Sequence, residues 1–204
     1  MKYLVLSFSH KNAPIEIREK LSFEDLEANQ SADLANDSQD KRKELLDYLL
    51  ESTLISEAIV LSTCNRTEII MQCEDNYDAL QKCFAKLTLI SGVKKEVLEG
   101  CASSYEGYSA IHHIFLVASS LDSLVVGETQ ISGQLKKAYR YALKNGYCTT
   151  KGLGLVIDFA FKCASSVRNE TGISKNPVSV ASIAVVSASA LPLNQKNAVV
   201  VGAG

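Results

Sequence analysis

The residues best suited to chemistry are concentrated in the run Ser62-Thr63-Cys64-Asn65-Arg66-Thr67-Glu68. A structural cysteine normally lies among valines and leucines, whereas Cys64 has only polar neighbours. A thiol is nucleophilic as its thiolate, and a nearby cation favours that form. If the segment is extended, Arg66 shares a face with the sulfur. Its guanidinium fork then either binds a carboxylate in bidentate fashion or forms a salt bridge with Glu68. A second candidate is His112-His113. One of these imidazoles either assists Cys64 as acid or base, or is simply packed on a helix. No spacing among cysteines and histidines matches a zinc pattern, so no metal is expected.

A third run, Leu121 to Gln134, holds Ser123, Gly127, Glu128, Thr129, Gln130, Gly133 and Gln134. Glu128 and Gln130 stand where a helix is expected to start, and an acidic residue there suits the helix dipole. Gly127 and Gly133 suggest a close approach of backbone to something else. Farther on, Lys136, Arg140 and Lys144 recur every four residues as a basic stripe, either a solvated face or a phosphate contact.

Several elements must position these groups. Lys2 to Ser9 alternates as a β-strand, and the turn-like His10 to Ala13 leads to Pro14. Ser22 with Asp25 resembles a capping box. Residues 28–43 are polar and charged, as in a loop or frayed helix, and Leu45, Leu46, Leu49 and Leu50 then mark a helical face. Glu57–Leu61 and Thr67–Gln72 are predicted as paired strands with the Cys64 run between them. Helices are predicted through Leu80–Leu87 ending at Gly92, through Tyr108–Phe115, through Ile131–Ala142 ending at Gly146, and over 150–171. A small-residue helix follows Pro177. An apolar strand, 198–201, then enters Gly202-Ala203-Gly204, as a dinucleotide-binding fold begins.

Composition narrows the class. The chain has 204 residues, 47% hydrophobic and 22% charged, with a formal net charge of −2. That balance suits a globular protein and gives no bulk electrostatic pull on nucleic acid. No targeting signal opens the sequence, and 178–193 falls short of the ~20 apolar residues of a membrane span. Six cysteines with no Cys-x-x-Cys pair point to reduced thiols in a cytoplasm rather than to a disulfide framework. The expected fold is α+β: a small sheet backed by helices, then a long helical connector and the first strand of a truncated Rossmann domain. The expected divisions are 1–150 as a catalytic domain, 151–195 as a connector, and 196–204 as the start of a cofactor domain.

Together these runs resemble one family, glutamyl-tRNA reductase. His10-Lys11-Asn12-Ala13-Pro14 with Arg18-Glu19 is similar to its opening motif, and Ser62 to Glu68 to its nucleophile motif. His113 to Ser123, Gly127-Glu128-Thr129-Gln130-Ile131-Ser132-Gly133-Gln134, Val167 to Thr171 and Val178 to Val180 follow in the family's order. Gly202-Ala203-Gly204 fits the start of its NADPH domain. The sequence departs from the family's pattern at Asn12, Leu116 and Ser120, where Thr, Arg and Gly are usual.

The resemblance implies that Cys64 takes the glutamyl group from glutamyl-tRNA as a thioester. NADPH-dependent reduction then gives glutamate-1-semialdehyde, the entry to tetrapyrrole (porphyrin) synthesis. It implies a catalytic role for His113, substrate contacts from Thr63, Asn65, Arg66, Ser123, Glu128, Thr129, Gln130 and Gln134, and cofactor contacts from Gly202, Ala203 and Gly204. It also implies a homodimer and, as a further partner, the downstream aminomutase, with no membrane association. Two other readings of the residues are a thiol-redox protein pairing Cys64 with Cys73 or Cys101, and a non-catalytic RNA-binding module using the basic stripe.

Overall fold

The computed structural model describes residues 1–23, 41–128, 130–173 and 180–189. Strand β1 (Lys2–Ser9) is followed by the short helix α1 (Ile15–Lys20), and α2 (Lys41–Leu50) precedes the hairpin strands β2 (Ile55–Ser62) and β3 (Arg66–Cys73). Then come α3 (Asn76–Ser91), α4 (Lys95–Cys101), β4 (Ser103–Glu106), α5 (Tyr108–Ala118), α6 (Gln130–Lys144), α7 (Leu153–Glu170) and α8 (Val180–Ser189). Asp25, the partner of Ser22 in the expected capping box, most of the polar segment 28–43, and the strand at 198–201 lie outside the described residues.

The strands form one antiparallel, four-stranded sheet in the order β2-β3-β1-β4. Alternation assigns the two faces, because side chains on successive residues point to opposite sides. Leu4, Leu6 and Phe8 share one face with Ile69 and Met71. Helices α2 and α3 cover it, with Phe8 edge-on to Phe84 at 6.5 Å between ring centroids. Glu57, Ile59 and Leu61 share the other with Glu68, Ile70, Val5 and Ser7, under α5 and α6, with α7 packed on α5. Covering both faces explains why the strands read as nearly continuous apolar runs.

The expected helices are present. Asp75 caps α3 by accepting from the amides of Tyr77 and Asp78, and Gly92 closes that helix at φ +67°. Helices α1 and α4 and strand β4 are too short for their periodicity to stand out in the sequence. Helix α7 begins at a glycine with no capping side chain of its own. Glu57 of β2 fills that role, accepting from the Leu153 amide (2.6 Å) and from the Thr149 hydroxyl (2.5 Å). No described helix is long and apolar enough to cross a membrane.

Candidate active site

Cys64 and Asn65 are the two-residue loop of the β2–β3 hairpin, since Ser62 pairs with Thr67 and the Thr63 amide donates to the Arg66 carbonyl at 2.8 Å. The Thr63 hydroxyl shapes the turn by accepting from the amides of Asn65 (3.2 Å) and Arg66 (3.1 Å). The segment after β1 clamps the loop from outside. The His10 amide donates to the Asn65 carbonyl at 3.0 Å, and Arg18 reaches from α1 to the carbonyl of Cys64 at 2.5 Å. The result is a held turn with an exposed thiol.

All six cysteines are free, and Cys64 is the exposed one. Burial pushes the Cys148 thiol up to about 12, with the Glu57 carboxylate adding to the shift, and burial raises Cys83 still further. The expectation that Arg66 shares a face with the sulfur needed an extended segment, and the turn removes that premise. Strand β3 begins at Arg66, so its side chain enters the sheet face beneath α5 while the thiol stays outside.

There Arg66, only 2% exposed, joins a buried charge cluster. Its Nη1 donates to Glu68 Oε1 at 2.7 Å and to Asp122 Oδ2 at 3.0 Å, and its Nη2 donates to the backbone carbonyl of Asp122. The local salt bridge to Glu68 is therefore formed, and Asp122 is a partner that no spacing in the sequence indicated. Glu68 Oε1 also accepts from the hydroxyl of Ser7, its cross-strand neighbour, at 3.1 Å, and lies 2.9 Å from His113 Nε2. The His113 ring stacks on Tyr105 at 4.0 Å.

Electrostatics follow from these contacts. Burial alone would push the Glu68 carboxyl up, but the hydrogen bond and charge of His113, then those of Arg66, outweigh it and hold Glu68 below the usual carboxylate range. Burial likewise opposes ionised Asp122, and the hydrogen bond from Lys11 with the charge of Arg66 reverses the shift. Burial disfavours the Arg66 cation, and the two carboxylates more than offset it. Desolvation, then the cations of Arg66 and Lys11, lower the pKa of His10 and favour its neutral form. Glu68, His113 and Asp122 converge in the manner of metal ligands, but the Arg66 guanidinium is bonded to both carboxylates, and a cation there would compete with it.

The other expected site residues spread along the α5–α6 connection. Ser123 is buried with no partner for its hydroxyl among the described residues. Glu128 is half-buried, and its carbonyl accepts from the Ser120 hydroxyl. Gln130 is exposed at the start of α6 and Gln134 half-buried one turn later, neither hydrogen-bonded to the cluster among the described residues. Thr129, Gly202, Ala203 and Gly204 lie outside the described residues. Gly127, at φ +89°, meets the Ile173 backbone, where a Cβ would sit 2.8 Å from the carbonyl oxygen, whereas Gly133 faces open space. Lys136, Arg140 and Lys144 are all exposed. Sequence reasoning missed Asp122, His10 and Lys11 as parts of the site, although His10 and Lys11 belong to the opening motif.

Fold and site together define an α+β domain that presents one held, exposed thiol beside a buried Arg–carboxylate–His cluster. The family description "Glutamyl-tRNAGlu reductase, N-terminal domain" matches residues 6–171. Similar proteins include the glutamyl-tRNA reductases of a Nitratiruptor species and of Campylobacter lari, each 49% identical over the whole chain. A solved structure, the glutamyl-tRNA reductase from Methanopyrus kandleri, aligns with a TM-score of 0.65 and 29% identity over 92% of this chain and 39% of that one. The chain belongs to the glutamyl-tRNA reductase family, within its N-terminal domain, and spans about 44% of the length of those two curated relatives.

Proposed function

We propose that this chain is the glutamyl-accepting part of an NADPH-dependent glutamyl-tRNA reductase, with Cys64 as nucleophile. The observation that carries this reading is the position of Cys64: the exposed thiol, on a loop held from both sides, close in sequence to the buried cluster. The Cys64 thiolate attacks the ester carbonyl of glutamyl-tRNA. The tRNA leaves through its terminal ribose oxygen, and a glutamyl thioester remains on the protein. A thioester has weaker resonance than an ester, which prepares the carbonyl for hydride. NADPH supplies that hydride when bound, and the whole reaction yields glutamate-1-semialdehyde for tetrapyrrole synthesis.

In this reading Arg66 binds the side-chain carboxylate, because the α-carboxyl is the group being transformed. His113 touches Glu68 and orients Arg66 through it, while Thr63 and Asn65 shape the thiol's turn. Ser123, Glu128, Thr129, Gln130 and Gln134 complete the substrate pocket, and Gly202-Ala203-Gly204 begin the cofactor site. Residues 1–150 are the catalytic domain, 151–195 the connector and 196–204 the start of the NADPH domain, in a cytoplasmic homodimer that passes product to the aminomutase.

The test uses the chain as it is. Incubated with labelled glutamyl-tRNA, it should form the thioester and lose it to water, releasing glutamate. Cys64→Ser should abolish that release. Equal release from both proteins refutes Cys64 as nucleophile.

A further inference from the structure

The Arg66 fork is held on two edges by carboxylates of different kinds. Glu68 is a neighbour on the same strand, has no exposed surface, and is fixed by Ser7 and His113 as well as by Arg66. Asp122 comes from the α5–α6 connection, its side chain is 15% exposed, and its second oxygen is bound by Lys11, whose side chain is 57% exposed. Both contacts on that second edge, one from the carboxylate and one from the backbone carbonyl, come from this single residue. Next in the chain, the buried Ser123 hydroxyl has no hydrogen-bond partner among the described residues.

We infer that Asp122 is a stand-in carboxylate, occupying the edge of Arg66 where the substrate's side-chain carboxylate binds and leaving it for Lys11 when substrate arrives. This rests on the reading of Arg66 as the substrate's carboxylate site. Charge explains the exchange. Arg66 and Lys11 balance Glu68 and Asp122, so a third carboxylate added to that set would leave a partly buried negative charge uncompensated, a costly arrangement. Exchange keeps two carboxylates on Arg66: one arrives as Asp122 moves outward along an ion pair it already makes, so the added negative charge ends nearer solvent, beside the exposed Lys11. Glu68 cannot be the one displaced, because it has no exposed surface and three donors hold it. A neutral side chain such as that of glutamine gains less from Arg66 than a carboxylate does and leaves Asp122 in place, so the work of displacing Asp122 falls on the glutamyl group alone.

The test measures binding by Cys64→Ser protein, which cannot form the thioester. Affinities are compared for one tRNA carrying glutamate, carrying glutamine, or uncharged. Asp122→Asn removes the competing charge and keeps the shape. It should raise the preference for glutamyl over glutaminyl tRNA by roughly threefold or more, the scale of a partly exposed ion pair. Lys11→Met, at an exposed position that leaves the fold intact, should lower the same preference, because displaced Asp122 loses its resting place. A role for Asp122 only in bracing Arg66 predicts a loss of preference in both variants, and that result, or no change in either, overturns the inference. If the parent protein binds charged and uncharged tRNA equally, the proposed function fails with it. If it prefers charged tRNA but Asp122→Asn does not raise the glutamyl preference, the stand-in alone fails.

Discussion

Glu57 and Glu68 sit on the same face of one sheet, on adjacent strands, both buried, yet they do different work. Glu57 accepts from neutral donors, the Leu153 amide and the Thr149 hydroxyl, and so caps a helix whose own start is a glycine. Glu68 accepts from Arg66, Ser7 and His113 and is the centre of a charge cluster one turn from an exposed thiol. Burial of a carboxylate therefore does not mark a site. What differs is the charge of its partners: Glu57 joins neutral donors within the fold, whereas Glu68 pairs with a guanidinium that also reaches Asp122, a partly exposed carboxylate.

The comparison predicts its own tests. Glu68→Ala strips the buried Arg66 of its fixed counter-charge and should cost about 3–5 kcal/mol of stability. It should also lower Cys64-dependent glutamate release per folded molecule, as chemical denaturation with an activity assay would show. Glu57→Ala leaves amide and hydroxyl donors unmatched and should cost about 1.5–3 kcal/mol. Iodoacetamide labelling of Cys64 should then proceed at the parental rate, and slowed labelling in the folded variant would mean that the two ends of the sheet are coupled.

Acid distinguishes the two regions further. The Glu68 and Asp122 carboxyls are held below their ordinary values, so as pH falls the unfolded chain takes up their protons first. Their contribution to stability is complete above the usual carboxylate range, roughly pH 4, and is lost as pH drops below it. Thermal melts between pH 7 and pH 3 should show that fall, and the pH dependence should be flatter in Asp122→Asn. The smallest effect is expected at Ser120, a left-handed residue at φ +60° whose hydroxyl donates to the Glu128 carbonyl. Ser120→Ala keeps the strain and loses the bond, for about 1 kcal/mol. Ser120→Gly loses the bond but relieves the strain, so it should cost less. Melting temperatures of the two variants, compared side by side, decide the order.

Ser120 also shows how far a sequence reading reaches. The glycine that the resemblance leads one to expect at that position would have a direct physical reason in the positive φ, but the reason becomes visible only with the backbone. In the same way the two glycines at 127 and 133 raised one expectation of close approach. It holds for Gly127 against Ile173 and not for Gly133.

The sequence by itself determined the strands of the hairpin, the principal helices and Cys64 as the thiol to examine. Each of these is written in local periodicity or in neighbouring residues. Only the tertiary structure decided what Arg66 touches. Asp122 is 56 residues away from it and His113 is 45 from Glu68, and both arrive through the packing of α5 and its following loop on the sheet. Partners brought together by packing leave no spacing in the chain, so the candidate thiol and the local Arg66–Glu68 pair could be read from the sequence and the long-range partners Asp122 and His113 could not.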